Sequence, residues 1–238
     1  MSHYRAELHV HTVLSPCAGI EMLPPLIVET ALESGINLIG IVDHNASANV
    51  AAVIQAASGT ALHVIPGIEL ETAEEIHALC LFDTLAQTET FQNIIDQNLP
   101  YIENNEAFFG SQLVVDWQGN FLRKVDKLLV TSTLLSLQES CQLVQSMGGL
   151  FIPAHVDREA NGLFSHLGTI PPDLSVDIFE ITRFISDEKA MQRFPQLKGH
   201  HLIQGGDVHD LDGFLGAVEI DLEEVNIQSI ARAIASKY

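Results

Sequence analysis

Short apolar runs alternate with helix-like patterns along the whole 238-residue chain, and this alternation limits the fold more than any other feature. The apolar runs predict eight strands: Ala6–His11, Asn37–Val42, Leu62–Glu69, Glu75–Phe82, Gly149–Ala154, Val176–Ile181, His201–Gly206 and Ala217–Ile220. The helix-like patterns predict six helices: Leu23–Ser34, Ser47–Ala57, Thr88–Gln97, Thr133–Met147, Asp187–Arg193 and Glu223–Ser236. Such alternation is typical of an α/β fold with a mainly parallel sheet, either open or closed.

The stretch Pro100–Thr131 interrupts this alternation. Its Gln118–Asn120 sequence is typical of a hairpin turn, and it contains Trp117, the only tryptophan of the chain. We interpret residues 100–131 as an insertion in a single domain that spans residues 1–238. The insertion is either a lid over a functional site or a surface excursion without a role in it.

The composition excludes several classes of protein. Hydrophobic residues make up 47% of the chain, which is too many for a disordered protein and enough for a sizeable core. No apolar stretch approaches the roughly 18 residues of a membrane span, and the N-terminus lacks the apolar core of a signal peptide. Cys17, Cys80 and Cys141 are too widely spaced for a disulfide framework or a CxxC zinc site. We therefore expect a cytoplasmic protein with no membrane partner.

Acidic residues greatly outnumber basic ones. The chain has 31 Asp and Glu against 11 Lys and Arg, for a formal net charge of −20. A surface this acidic argues against binding long nucleic acid or an anionic membrane by broad electrostatic attraction. The 11 histidines equal the lysines and arginines in number, so imidazole and carboxylate groups dominate the polar chemistry of the chain.

Most of these histidines fall at or near the ends of predicted strands. His9 and His11 are two residues apart at the end of the first strand, so the alternation of a strand points both side chains to one side. The other such groups follow or lie in later strands: His44, Glu69, His77, His155, Asp207 and His209. In parallel α/β folds, functional sites form at the carboxyl ends of the strands.

Each of these groups also has a purely structural explanation. His77 alone is typical of a hydrogen-bonded core histidine, Asp43 and Asp207 are suitable helix N-caps, and Glu69 is a possible solvated strand end. The recurrence of His, Asp or Glu on six strands favours one shared site instead. Imidazole and carboxylate together suit Zn²⁺, Mn²⁺ or Fe²⁺, and eight such groups exceed what one tetrahedral ion needs. The pattern thus predicts a site for more than one divalent metal ion.

The ordered motifs HVHT, DHN, GIE, AHVDR and GGDVH, with an isolated strand histidine between the third and fourth, resemble the polymerase and histidinol phosphatase (PHP) family. The match runs from His9 to His209. The resemblance implies a distorted (β/α)7 TIM-like barrel with two or three metal ions at its carboxyl-terminal mouth. It also implies metal-dependent hydrolysis of phosphoesters.

The resemblance further implies a ligand set for each metal ion. His9, His11, Glu69 and Asp207 would hold one ion, and Glu69 would bridge to a second ion completed by His77 and His155. His44 and His209 would hold a third ion, together with a residue that is often histidine in the family. That residue is Cys17 in this chain. A thiolate binds Zn²⁺ or Fe²⁺, whereas a neutral thiol would leave the third position weak, and both alternatives stay open.

Two or three divalent ions suit phosphoester hydrolysis, because a metal-bound hydroxide is a nucleophile at neutral pH. Asp43 or His209 is expected to relay the proton to the leaving group. Arg158 is the preferred phosphate-binding cation, and Arg183 and His166 are further candidates for substrate contacts. A small phosphomonoester is the favoured substrate. The alternatives are a nuclease or nucleotide phosphodiesterase acting on short nucleic acid, and a non-catalytic metal-stabilised module. No oligomeric state is predicted.

Overall fold

A computed structural model describes residues 1–237 as ten strands and eight α-helices. The strands are β1 (Ser2–Val10), β2 (Leu38–Ile41), β3 (His63–Glu71), β4 (His77–Leu81), β5 (Leu113–Val115), β6 (Phe121–Lys124), β7 (Leu150–Pro153), β8 (Ile178–Thr182), β9 (His201–Gly205) and β10 (Val218–Leu222). The helices are α1 (Pro24–Glu33), α2 (Val50–Ala56), α3 (Leu85–Asn98), α4 (Glu106–Phe109), α5 (Leu137–Ser146), α6 (Leu163–Leu167), α7 (Asp187–Arg193) and α8 (Ile227–Ala235). All eight predicted strands and six predicted helices are therefore present.

Six strands form one curled sheet in the order β10-β1-β2-β3-β4-β7, and β8 pairs with β9 in a separate parallel pair. The pairs β1–β2 and β2–β3 are parallel, as expected, but β3–β4, β4–β7 and β1–β10 are antiparallel. The reason for the β3–β4 direction is the short connection of residues 72–76. A parallel pair needs a crossover of a dozen or more residues, which this connection cannot supply.

The distorted (β/α)7 TIM-like barrel that the resemblance implies is confirmed in part: within residues 1–237 the main sheet is a curled half-barrel of six strands. Between β7 and β8 the N–H of Val156 donates to the carbonyl of Glu180, and between β9 and β1 the pairing is reduced to a bridge of Val208 with Val10. The backbone turns into the left-handed region at His155 (φ 31°) and Asp207 (φ 48°), where the regular ladders stop.

Helices pack on the outer face of the strands and bury the apolar core. Helix α8 inserts Ile227, Ile230 and Ile234 against β7, β8, β9 and β10. Its N-terminus is capped by the side chain of Asn226, which accepts from the N–H of Ser229. Helix α5 begins with a capping box of Ser136 and Glu139. These helices hold the strands whose carboxyl ends carry the candidate site.

The segment of residues 100–131 forms α4 and the antiparallel β5–β6 hairpin, which turns at the predicted residues. It is attached to the rest of the fold by specific hydrogen bonds. The side-chain amide of Asn45 donates to the carbonyls of Leu129 (2.8 Å) and Thr131 (2.9 Å), and that of Asn49 donates to Leu113 (3.0 Å). The segment is therefore fixed next to the strand ends rather than extended away from them.

The helices within residues 1–237 include none with the length and apolar character needed to cross a bilayer.

We predict that Ile230→Ala lowers the free energy of unfolding by about 2–4 kcal/mol, because it leaves a cavity under α8. Gln228→Ala, on the exposed face of the same helix, is the matched control and should change this free energy by less than about 0.5 kcal/mol. Urea unfolding followed by circular dichroism measures both. Equal unfolding midpoints for the two variants would contradict the described packing of α8.

Candidate metal centre

Glu69 lies at the centre of a cluster of histidines where β1, β3 and β4 meet. Its carboxylate is fully buried, and nitrogen atoms of five histidines approach it within 3.3 Å. The approaching atoms are His44 Nδ1 (2.9 Å), His77 Nδ1 (2.9 Å), His9 Nε2 (3.2 Å), His155 Nε2 (3.2 Å) and His11 Nε2 (3.3 Å). Asp207 lies beside them, with its Oδ1 atom 3.2 Å from His9 Nε2 and 3.4 Å from His11 Nε2.

The strand directions explain how residues distant in sequence converge here. His9 and His11 lie at the end of β1 and face the same side, as the alternation of a strand predicts. His77 is the first residue of β4, not an interior residue, and it pairs with Glu71 at the end of β3. Because β4 runs antiparallel to β3, its beginning lies at the same sheet edge as the ends of the parallel strands.

The ring orientation of His9 and His11 is fixed by partners on the Nδ1 side. His9 Nδ1 is 2.9 Å from Glu180 Oε1, and a carboxylate can only accept, so Nδ1 carries the proton. The Ser15 hydroxyl donates to Asp43 Oδ1 (2.7 Å) and therefore accepts from His11 Nδ1 (2.8 Å). These partners direct both Nε2 atoms towards Glu69 and Asp207. Burial alone would lower the pKa of His9 and His11, but the neighbouring carboxylates raise both, so a metal ion bound at Nε2 would displace a proton.

The turn that carries Asp207 is held by a second buried carboxylate. Glu7 accepts from the backbone N–H groups of Gly206 (2.9 Å), Leu215 (3.1 Å) and Gly216 (3.1 Å). A side chain at Gly206 would place its Cβ 2.6 Å from Glu7 Oε2, so only glycine fits beneath the turn. The left-handed backbone of Asp207 stores strain of about 1–3 kcal/mol, and such strain clusters at functional sites.

Several buried atoms of this cluster have no hydrogen-bond partner within residues 1–237. They are His9 Nε2, His11 Nε2, His44 Nδ1, Glu69 Oε2, His155 Nδ1 and Asp207 Oδ1. A buried polar atom without a partner costs free energy, so this many together indicate a missing ligand. Atoms about 2.1 Å from a tetrahedral ion lie roughly 3.4 Å apart, close to the spacings found here. The donor set therefore fits divalent metal ions.

Three groups of donor atoms in residues 1–237 are close enough to share an ion, and they differ in part from the predicted ligand sets. The groups are His9, His11, Glu69 and Asp207; His44, Glu69 and His77; and His11, His44 and His209. The first agrees with the predicted set for one ion. In the second, His44 stands where His155 was expected, although His155 Nε2 still lies 3.2 Å from Glu69. In the third, His11 replaces Cys17.

Cys17 lines the cavity next to the cluster but belongs to none of these three groups. Burial, followed by the negative charges of Glu69 and Asp207, raises the pKa of its thiol to about 12. In the metal-free cluster the thiol is therefore protonated at neutral pH, and an ion that bound it would have to displace this proton. Cys80 and Cys141 are buried in the core.

The charges of the cluster keep its carboxylates ionised. Burial alone would raise the pKa of Glu69, but His77 and His9 hold it well below its usual range. Burial would likewise raise the pKa of Asp207, but His9 lowers it. Burial lowers the pKa of His44 to about 4, so this imidazole is neutral. The pKa of His77 rises to about 9, because Glu69 and Glu71 outweigh its burial. Metal binding must displace a proton from His77 and therefore weakens as the pH falls.

The proposed acid and substrate-binding residues fall in different places. Arg158 lies at the cavity, and its Nη1 donates to Asp207 Oδ2 at 2.5 Å. Arg183 lines an adjoining cavity and donates to the carbonyl of Gly213. His166 lies exposed on α6 and is not among the residues that line either cavity, because the short helix directs it to solvent.

Asp43 does not have the position of a proton relay to substrate. It is fully buried, and it accepts from Thr12 N (2.7 Å), Thr12 Oγ1 (2.7 Å) and Ser15 Oγ (2.7 Å). All three donors belong to the turn that follows His11. Asp43 is therefore a positioning residue that orients His11 through Ser15, and it is absent from the residues lining the two cavities.

Two acidic residues of the site were not singled out from the sequence. Glu71 lines the cavity, with Oε2 3.6 Å from His77 Nε2, and accepts from the Ser132 hydroxyl (2.7 Å). Its position two residues after Glu69 on one strand was the available signal, since such residues share a face. Glu180 supports His9 from the middle of the apolar strand β8, where a lone carboxylate is unusual.

Known proteins share this architecture. A protein of Bacillus subtilis (strain 168), the uncharacterized YqxK, is 25% identical over 260 residues, covering 96% of this chain and 60% of YqxK. The lesion-specific endonuclease PfuEndoQ from Pyrococcus furiosus aligns over 99% of this chain and 56% of its own, with 17% identity and a TM-score of 0.72. An endonuclease Q in complex with a 27-mer duplex substrate that has an abasic lesion aligns over 99% of this chain and 57% of its own, with 16% identity and a TM-score of 0.67.

This chain thus spans under two thirds of the length of each of these three proteins. The likeness to the solved structures is one of fold. The sequence match to the PHP domain family covers residues 7–136, which is more than half of the chain and includes the HxH motif, Asp43, Glu69 and His77. On this match and the cluster described above, the chain belongs to the PHP domain family.

Proposed function

We propose that this protein hydrolyses phosphoesters with the help of divalent metal ions bound at the Glu69 cluster. The observation that carries this proposal is the convergence of buried, partnerless nitrogen and oxygen atoms beside the cavity that Arg158 lines. Membership of the PHP domain family supports the same chemistry. We further propose that the chain acts as one PHP-type unit in which residues 100–131 form a wall of the site, since Phe109 and Val130 line the cavity.

The first group of donors, His9, His11, Glu69 and Asp207, would hold one ion. Glu69 would be shared with a second ion at His44 and His77, and a third position would use His11, His44 and His209. Imidazole and carboxylate donors suit Zn²⁺, Mn²⁺ or Fe²⁺. When bound, such ions supply Lewis acidity and lower the pKa of a coordinated water to near neutrality.

Arg158 would bind the phosphoryl oxygens. Its guanidinium has five N–H donors, so it can keep its bond to Asp207 and still offer donors to an anion in the cavity. The bond to Asp207 also fixes the guanidinium next to the metal-binding carboxylate. Arg158 thus brings a positive charge to the place where negative charge develops during transfer of a phosphoryl group.

His209 is a better metal ligand than proton donor in this arrangement. Burial and the neighbouring His11 lower the pKa of His209 to about 3, so the imidazole is neutral near pH 7. A neutral imidazole binds metal ions but has no proton to spare on the nitrogen that would bind the ion. We therefore assign His209 to the metal site and leave proton delivery to solvent in the open cavity.

The substrate class follows from two opposing arguments. The net charge of −20 favours a small phosphomonoester over long nucleic acid. However, endonuclease Q, which has the same fold, acts on a duplex substrate, so the charge summed over a chain does not decide what a site of this fold accepts. Hydrolysis of a phosphodiester in a nucleotide or nucleic acid is therefore the second candidate function.

We predict that His9→Ala and Asp207→Ala each reduce the bound metal, because each removes a donor from the four-donor group. Elemental analysis of purified protein by mass spectrometry gives the metal-to-protein ratio. His3→Ala is the control, since His3 is exposed and pairs with Asp221 far from the cluster. Wild-type metal content in both site variants would refute the assignment of this group.

Cys17→Ser should leave the metal-to-protein ratio unchanged, because the Cys17 thiol is outside the three donor groups. His44→Ala, which removes a donor from two groups, should lower the ratio in the same measurement. A loss of one ion per protein in Cys17→Ser would instead make the thiol a ligand.

Arg158→Ala should lower kcat/KM for p-nitrophenyl phosphate by roughly 10- to 1000-fold, the range typical of losing a charged group that stabilises a transition state. Arg232→Ala, on the exposed face of α8, is the matched control and should retain activity. Metal content is measured for both variants, since Arg158 also contacts Asp207. Full activity in Arg158→Ala with metal bound would exclude its role in phosphate binding.

A further inference from the structure

Two cavities meet at the metal cluster. The first, of about 540 Å³, is lined by Cys17, His77, Phe109 and Val130, among others. The second, of about 260 Å³, is lined by Thr182, Arg183, Phe184 and Gly213, among others. Three residues line both cavities: Arg158, Asp207 and His209. The proposed phosphate position therefore has a separate space on each side.

This arrangement distinguishes two classes of phosphoester. A phosphomonoester has one organic group, so with its phosphoryl group beside Arg158 it occupies one of the two cavities. A phosphodiester has two organic groups, and both cavities are used when its phosphorus lies at their junction. Specific ligand sites generally bury most of the ligand surface, so a second cavity at the reacting group is best explained by a second substituent.

Phe184 gives the second cavity an aromatic surface. The side chain is 89% exposed and lines this cavity, so its ring is accessible to a ligand bound there. The backbone on either side of it is anchored. Asp157 accepts from the N–H (2.8 Å) and hydroxyl (2.6 Å) of Thr182, and the carbonyl of Ile185 accepts from the side-chain amide of Gln204 (2.6 Å). The turn that carries Phe184 is thus held in place, while its ring is exposed to solvent.

We propose that the protein acts on a nucleoside phosphodiester that lies across both cavities, with a nucleobase stacked on Phe184. This inference rests on the proposed hydrolysis of phosphoesters and specifies its substrate. A nucleobase is planar and aromatic, and stacking on an exposed ring supplies affinity without a demand for one particular base. The second cavity is lined by two arginines, Arg158 and Arg183, whose guanidinium groups can donate to a phosphodiester, and also by the carboxylates of Glu180, Asp207 and Asp210.

Binding to the metal-loaded protein tests the stacking separately from turnover. Titration calorimetry compares thymidine 5′-monophosphate with 2-deoxyribose 5-phosphate, which has a hydroxyl group in place of the base. The wild type should bind the nucleotide more tightly, and Phe184→Ala should lose roughly five- to hundred-fold in affinity for the nucleotide alone. Phe184→Trp should restore this affinity. Phe108→Ala is the matched control, because Phe108 is 78% exposed and is not among the residues lining the two cavities.

Turnover tests whether the protein prefers a diester that carries a nucleoside to one that carries a methyl group. We expect kcat/KM to be higher for the p-nitrophenyl ester of thymidine 5′-monophosphate than for methyl p-nitrophenyl phosphate, and Phe184→Ala should remove this difference. Equal values for the two diesters in the wild type, or an unchanged preference in Phe184→Ala, would overturn the inference while leaving phosphoester hydrolysis intact. An absence of turnover of these diesters and of p-nitrophenyl phosphate, with metal confirmed bound, would overturn the proposed function itself.

Discussion

The structure depends on Glu69, a fully buried carboxylate with histidine nitrogens from β1, β4 and the turns after β2 and β7 within 3.3 Å. An isolated carboxylate in such a place would be protonated, because burial disfavours its charge. The surrounding imidazoles reverse this, and they in turn are oriented by Glu180 and Ser15. The outer residues are thus as necessary as the inner ones, since each fixes the nitrogen that faces the centre.

Local patterns in the sequence carry most of the fold. Short apolar runs bounded by turn residues predict every strand of the main sheet and of the β8–β9 pair, because most positions of those strands are buried. The sequence does not reveal strand direction as readily. The short connection of residues 72–76 forces β4 to run backwards, and only then does His77 lie at the site edge rather than within the strand. The pairing between β1 and β9 is reduced to the bridge at Val208. This reduction depends on backbone angles, such as that of Asp207, which a residue pattern does not specify.

In the candidate site, too, some residues can be predicted from the sequence and others cannot. The donors His9, His11, Glu69 and Asp207 can be inferred from spacing, because residues at strand ends have few ways to be placed. The role of Asp43 cannot, because whether a carboxylate faces a cavity or a turn depends on the path of the chain around Thr12 and Ser15. The sequence leaves the role of Cys17 open for a related reason. Cys17 lines the cavity beside the cluster but lies outside the three donor groups. Whether its thiol reaches an ion depends on a few ångströms, and the loop that follows β1 sets that distance.

The weak contact between β9 and β1 has a mechanical consequence. In residues 1–237 those two strands are joined by the bridge between Val10 and Val208, while Asp207 beside this bridge faces His9 and His11 across the gap. An ion held by these residues and Glu69 would connect the ends of β1, β3 and β9. It would therefore reinforce the place where backbone pairing between β1 and β9 is shortest. Metal binding would then also stabilise the folded protein. The protein would be most rigid only in its metal-loaded form, which is the form proposed to hydrolyse phosphoesters.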